Sequence, residues 1–185
     1  AAMFIDMRDF TGLAASLPPR DLIALLGEYQ NLAVPAIHAN RGSIITFLGD
    51  GIMVTFGAPG NSATYAADAF RCAEGLLDTL ADWAAQRTAA GLPAPGVGIG
   101  IAVGTVICGA VGNESRLEYA VIGDPVNRAA KLQQHTKAEG VRALSTPRAL
   151  ERAREQGYDG ARAATHRDAR NVVGIEEPVD LIVID

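Results

Sequence analysis

Apolar positions along the chain fall into two periods. Ala1-Ala2-Met3-Phe4-Ile5 is an apolar run that reads as a strand. Ser16-Leu17-Pro18-Pro19 is a helix-start signal, with Ser16 as N-cap and proline in the first turn. Leu22, Leu25, Leu26, Tyr29, Leu32, Ala33, Ala36 and Ile37 then recur at helical spacing as far as His38, and Asn40-Arg41-Gly42 ends that helix. Ile44-Ile45-Thr46-Phe47-Leu48 and Ile52-Met53-Val54-Thr55-Phe56 flank Gly49-Asp50-Gly51, which predicts a β-hairpin around a tight turn.

Gly57-Ala58-Pro59-Gly60 breaks the pattern before an alanine-rich helix predicted over 62–90, and Gly91–Gly96 is a loop with two prolines. From Val97 to Cys108 glycine alternates with β-branched residues, predicting a strand, a turn and a second short strand. Tyr119–Ile122 is a further strand. Asp124-Pro125 opens a helix running to about Lys137, and Val141–Leu144, Pro147–Glu155 and Val179–Ile184 read as strand, helix and strand. Hairpins mixed with crossovers predict an α+β fold with one mixed sheet, in a single domain over residues 1–185. The chain opens directly on an apolar strand, so it reads as a core cut from a longer protein. That leaves room for an upstream regulatory segment or membrane attachment.

Composition narrows the classes. Lys plus Arg number 16 against 21 Asp plus Glu, for a net charge of −5 without a dense basic run, which argues against a nucleic-acid partner. Cys72 and Cys108 lie far apart among apolar or small neighbours and read as buried thiols, suited to a reducing compartment. No apolar run approaches the ~20 residues of a membrane helix. The expectation is a soluble, cytoplasmic domain.

Two carboxylates stand at strand ends. Asp6 follows Met3-Phe4-Ile5, and Asp50 sits at the hairpin tip. On neighbouring strands they would supply the oxygen ligands that hard divalent cations take alongside substrate phosphates. The plain alternative is that Asp50 is there because aspartate tolerates a Gly-Asp-Gly turn, and that Asp6 caps a short helix starting near Phe10. The segment Asp6–Gly12 is also a strand-to-helix transition, whose backbone N–H groups can receive phosphate.

At this point the residues resemble a known family, the class III nucleotidyl cyclases. Phe4-Ile5-Asp6-Met7-Arg8-Asp9-Phe10-Thr11 resembles the family's first metal-binding segment, and Phe47-Leu48-Gly49-Asp50-Gly51-Ile52-Met53 its second. Gly98–Gly104 resembles the strand that follows. Tyr119–Leu132 resembles the strand-to-helix segment that carries the catalytic asparagine. Four matches in family order make the resemblance specific. It implies a ferredoxin-like mixed β-sheet flanked by helices, the class III cyclase catalytic fold, and a phosphorus–oxygen lyase of the adenylate cyclase type. It implies a head-to-tail homodimer acting on a nucleoside triphosphate, most readily ATP, to give a 3′,5′-cyclic nucleotide and pyrophosphate. One chain would offer Asp6, Asp50 and the carbonyl of Ile5 to two Mg²⁺ or Mn²⁺ ions, with Phe10 and Thr11 backbone groups gripping phosphate. The partner would supply Asn127 to orient the ribose and, one turn later on the same face, the cation Lys131.

Several positions depart from the family pattern. Its base-reading lysine is Thr46 here, and that lysine's partner is Ala120. Thr46 can make one hydrogen bond of the kind that identifies a base and Ala120 none, which predicts weak base selection and leaves GTP or a pyrimidine triphosphate open. Lys131 stands where arginine is usual, keeping the charge but losing the planar fork, so the rate is expected to fall rather than vanish. Near the C-terminus a phosphate-binding lysine is replaced within Val172-Val173-Gly174, with Arg167 and Arg170 the cations available to reach in. The contrary reading is a silent cyclase-like module that dimerises or binds nucleotide for regulation. Against it, Asp6, Asp50 and Asn127 are retained together. His38 reads as a helix-end residue, His135 and His166 as surface residues, and Trp83 as a packing anchor.

Overall fold

Alternation along the first strand decides how the two faces of the sheet are used. The computed structural model describes residues 1–113, 115–162 and 165–185. Its strands are β1 (Ala2–Met7), β2 (Gly42–Leu48), β3 (Gly51–Phe56), β4 (Val97–Ala102), β5 (Ile107–Asn113), β6 (Arg116–Ile122), β7 (Ala143–Ser145), β8 (Thr165–Arg170) and β9 (Val179–Val183). Its helices are α1 (Phe10–Ser16), α2 (Pro19–Ala39), α3 (Tyr65–Ala89), α4 (Asp124–Glu139) and α5 (Pro147–Glu155).

Seven strands form a mixed sheet in the order β2-β3-β1-β4-β7-β9-β8, antiparallel except where β4 meets β7. Met3, Ile5 and Met7 point into the larger core with α2, α3 and α5, while Ala2 and Phe4 join a smaller cluster under α4. Period two therefore puts Asp6 on the α4 face of the sheet. The α+β architecture expected from the sequence is present.

Three expectations are corrected. The sheet is not single: β5 and β6 pair with each other as a separate two-stranded ribbon. Ser16 does not cap α2 but ends α1; Pro18 holds the N-cap position and Pro19 the first turn. Strand β8 was not expected, because Thr-His-Arg-Asp-Ala-Arg carries no apolar alternation and five of its six residues are exposed. It is an edge strand, held by its ladder to β9 rather than by burial.

Glycines in β4 set the position of α4. A Cβ on Gly100 would collide with the backbone oxygen of Ala129 and the backbone nitrogen of Gln133, and one on Gly98 would lie 2.7 Å from the hydroxyl of Thr136. The helix thus rests directly on the strand backbone, closer than any side chain would allow.

Candidate active site

The Asp6–Asp50 pair is built by two ladders of unequal length. On the β4 side, pairing runs through Asp6 and Met7; on the β3 side it stops at Ile5 opposite Ile52. Asp50 fills the gap: its carboxylate accepts the Met7 N–H at 3.2 Å. Gly49, at φ 69°, takes the left-handed conformation that a two-residue hairpin turn needs, and this puts Asp50 at the tip. A Cβ on Gly51 would lie 3.3 Å from Asp6 Oδ1, so the first carboxylate lies over the hairpin backbone.

Burial first, then hydrogen bonding and repulsion from the neighbouring Asp50 carboxyl, push Asp6 up to about 7. Such a pair without a cation retains a proton that free carboxylates would have lost. Hard oxygen donors with unrelieved negative charge fit Mg²⁺ or Mn²⁺. No group of three or more His, Cys, Asp or Glu among the described residues is arranged for a metal. Two carboxylates suit a cation that completes its shell with water and phosphate oxygens.

Ile5 is buried between Ile52 and Ile99. Phe10 opens α1 half-buried against the core, and Thr11 is exposed. Asp9, not Asp6, holds the N-cap position of α1, with φ 57° and no side-chain capping bond. Its carboxylate lies over Gly12, where a Cβ would stand 2.7 Å from Asp9 Oδ1.

Asn127 and Lys131 lie on α4, four residues apart, and line a separate groove of about 730 Å³ with Thr146, Arg148, Gly174 and Asp180. Asp6, Asp50, Phe10 and Thr11 are not among its lining residues. The residues predicted for the site therefore fall, within one chain, into two groups that do not share this cavity. Asn127 is exposed and Lys131 half-buried. Thr46 is exposed on β2, its hydroxyl bonded to the Phe47 carbonyl at 3.3 Å, immediately after the bulge at Ile45. Ala120 is half-buried on β6 opposite Gly109.

The expected C-terminal cations are elsewhere. Arg167 and Arg170 do not reach into the groove but pair with Glu139 at the end of α4. His135 is correspondingly not a surface residue: its side chain is 11% exposed and its Nε2 lies 3.2 Å from Glu139 Oε1. Sequence reasoning missed this cluster, although His135 and Glu139 continue the i, i+4 stripe begun by Asn127 and Lys131. It also missed the glycine seats under α4, for which Gly98-Ile99-Gly100 was the available signal.

The remaining readings of single residues hold except for Cys108, which is not buried. His38 is exposed in the last turn of α2 and His166 is exposed on β8. Trp83 is buried, its N–H donating to Glu28 at 3.0 Å and its ring 6.5 Å from that of Tyr29. Both cysteines are free; Cys72 is buried and pushed by burial up to about 12, whereas Cys108 is only half-buried. No helix among the described residues is long and apolar enough to cross a membrane.

Comparison with known proteins gives this geometry a family. The model of the adenylate and guanylate cyclase catalytic domain matches residues 1–177. Adenylate cyclase 1 of Rhizobium meliloti is 35% identical over 145 residues, covering 78% of this chain and 22% of that protein. An uncharacterised protein of Mycobacterium tuberculosis is 33% identical over 181 residues, covering 98% of this chain and 31% of that protein. The chain thus spans less than a third of the length of these relatives. Among solved structures, the guanylyl cyclase Cya2 superposes with a TM-score of 0.84 at 29% identity, covering 99% of this chain and 89% of that one. The adenylyl cyclase CyaB from P. aeruginosa superposes with a TM-score of 0.83 at 26% identity, covering 100% and 92%. Fold, motifs and relatives agree: the chain belongs to the adenylate and guanylate cyclase catalytic domain family, with the class III cyclase fold.

Proposed function

We propose that the domain is a metal-dependent cyclase converting ATP to 3′,5′-cyclic AMP and pyrophosphate, with the active site shared across a homodimer. The observation that carries this reading is the Asp6–Asp50 pair: Asp50 bonded to the Met7 N–H beside Asp6, with Asp6 raised to about 7. Asp6, Asp50 and the Ile5 carbonyl would hold two Mg²⁺ or Mn²⁺ ions. Bound there, the ions supply Lewis-acid charge that favours ionisation of the ribose 3′-hydroxyl and neutralises the triphosphate. The 3′-oxygen forms a bond to the α-phosphorus as the bond to the bridging oxygen breaks; the hydroxyl proton passes to water and pyrophosphate leaves.

The chain's own groups orient and neutralise. Asn127 both donates and accepts hydrogen bonds, which suits the ribose. Lys131 brings a positive charge to phosphate oxygens as negative charge moves onto them. Phe10 and Thr11 offer backbone N–H groups to the triphosphate. Separation of the Asp50 tip from the Asn127–Lys131 groove supports pairing of complementary halves from two protomers. The β5–β6 ribbon supports the same assembly: Ile107, Val111 and Ile122, which share one face of it, are 75%, 56% and 60% exposed, an apolar surface suited to a second copy.

The identity of Adenylate cyclase 1 favours ATP. Thr46 and Ala120 nevertheless lack the groups that would reject other bases, so GTP is turned over within about tenfold of ATP. Incubation with Mn²⁺ and each of the four ribonucleoside triphosphates, with products identified by mass spectrometry, tests the reading. A folded dimer yielding no cyclic nucleotide from any of them overturns it. Mixing Asp6→Ala and Lys131→Met protomers, each far below wild type alone but the latter still measurable, should restore about a quarter of wild-type turnover by random reassortment in a two-fold dimer. No restoration, with heterodimer demonstrated, contradicts the shared site.

A further inference from the structure

Lysine is nearly absent from this protein. Only Lys131 and Lys137 occur, against 14 arginines. A lysine on the active-site face of α4 is therefore contrary to the chain's own usage. Its surroundings supply a physical reason. Gly174, at φ 84°, lies against the end of the Lys131 side chain: a Cβ on Gly174 would be 2.7 Å from Lys131 Cε and 2.9 Å from Nζ. Lys131 itself has no hydrogen bond or ion pair among the described residues. Its ammonium is located by packing on a turn, in which the Ile175 N–H bonds the Val172 carbonyl at 3.0 Å.

That turn is tied down two helical turns along α4. Glu139 receives Arg167 at both levels: Nη1 pairs with the carboxylate and donates to the backbone carbonyl at 2.8 Å. Arg170 approaches the other carboxylate oxygen at 3.5 Å and His135 the same oxygen at 3.2 Å. Burial pushes the Glu139 carboxyl up, but the Arg167 hydrogen bond, Arg170 and His135 outweigh it and hold it below the usual glutamate range. Lys131 to Glu139 spans about 12 Å of helix. The four residues from Arg170 to Gly174 reach at most about 14 Å when extended, and the turn at Val172 uses part of that length. With Val172 buried beneath it, the segment has little slack.

We infer that Glu139, through Arg167 and Arg170, is a positioning residue: it draws the β9-paired end of β8 against α4, so that residues 171–174 leave it as a strap that seats the Lys131 ammonium on Gly174 for the triphosphate. The inference rests on the cyclase reading for the ammonium's purpose, while the seating itself is independent of it.

Two measurements test it. In the full domain with Mn²⁺ and ATP, Glu139→Gln should lower kcat about tenfold with KM changed less than about twofold, since misplacing one group by about 1 Å is worth that much. In a Lys131→Met background the same substitution should change nothing further, the non-additivity of residues acting as one unit. Trace acetylation of the folded domain, read by mass spectrometry, should show Lys131 reacting about threefold faster relative to Lys137 in Glu139→Gln, because its seat has loosened. Arg170→Gln, at a half-exposed position, should give the same signs with smaller size and serves if Glu139→Gln does not fold. Unchanged Lys131 labelling in a folded strap variant overturns the inference, as does an equal loss of kcat with and without Lys131. A wild-type domain that cyclises nothing overturns the cyclase reading alone, and the labelling then decides the strap.

Discussion

The hairpin tip and the Asn127–Lys131 face of α4 solve the same problem by opposite means. At the tip, Asp6 and Asp50 are forced together by strand pairing, and their charge is unrelieved. On α4, Asn127 and Lys131 are spaced by helix periodicity, and their placement is borrowed from glycines: Gly100 beneath the helix and Gly174 against the lysine. The tip is strained by electrostatics and awaits a counter-charge. The helix face is relaxed electrostatically but depends on backbone packing from two other segments. Damage to the tip should therefore appear mainly in chemistry and in pH dependence, and damage to the Gly100 seat beneath the helix mainly in stability.

The largest effect expected is Asp50→Asn, which keeps an acceptor for the Met7 N–H but removes the charge. Cyclase turnover with Mn²⁺ should fall at least about 10³-fold, the several kcal/mol a metal site supplies. Without cation at alkaline pH the variant should melt higher than wild type. The relief is about 1 kcal/mol after discounting for a half-exposed carboxyl, or about 2–4 °C. A variant that loses activity and also stability would mean that the tip is held by the charge pair rather than strained by it.

Next comes Gly100→Ala, aimed at the helix seat. The added methyl has no space between β4 and α4 and should cost about 2–3 kcal/mol, lowering the melting midpoint by about 5–10 °C. Gly75→Ala is the control. That residue sits in α3 with nothing near its missing Cβ, and alanine there should stabilise by about 0.5–1 kcal/mol. If the two substitutions behave alike in thermal melts, α4 does not depend on close backbone approach.

What the sequence made legible follows the same division. The strands were readable where burial demands apolar residues, with partial alternation in β1 and at every position of β3 and β4. Asp6 and Asp50 were readable because carboxylates at strand ends are locally defined. Strand β8 was not, since an exposed edge strand has no apolar alternation to betray it. Nor was the work of Gly98 and Gly100: a glycine in a strand shows where something approaches but not what. Arg167 and Arg170 were assigned to phosphate on proximity in sequence. Their partner, Glu139, lies 28 and 31 residues away and is brought near only by the fold.

A smaller effect separates the halves by pH. The folded-state value of Asp6, about 7, lies above its ordinary 3.8, so between those limits the folded state binds more proton than the unfolded one. Its contribution to stability is then complete below 3.8 and lost as pH rises through about 7. The cation-free melting midpoint should decline by about 2–4 °C over that window. Mn²⁺ should reverse the decline on the alkaline side and do little at acid pH. Cation protection that is equal at both ends of the window would place the ion away from Asp6, and Asp50→Asn should lessen the decline, leaving the part due to burial of Asp6, while Gly100→Ala shifts the profile bodily downward.

The smallest effect is expected at Thr46. Its hydroxyl is exposed and already bonded to the Phe47 carbonyl, immediately after the bulge at Ile45. A group so engaged reads a base poorly, so Thr46→Ala should change the ATP-to-GTP ratio of kcat/KM less than about twofold. Adding discriminating groups should act in the other direction. Thr46→Lys combined with Ala120→Asp places a donor and an acceptor on β2 and β6, where the family keeps its base-reading pair. The double variant should favour ATP over GTP by at least about tenfold more than wild type, because a hydrogen-bonding site rejects the base that leaves its groups unpaired. A large change from Thr46→Ala alone would show that the threonine hydroxyl leaves Phe47 for the nucleotide. Base selection would then belong to the β2 bulge rather than being absent.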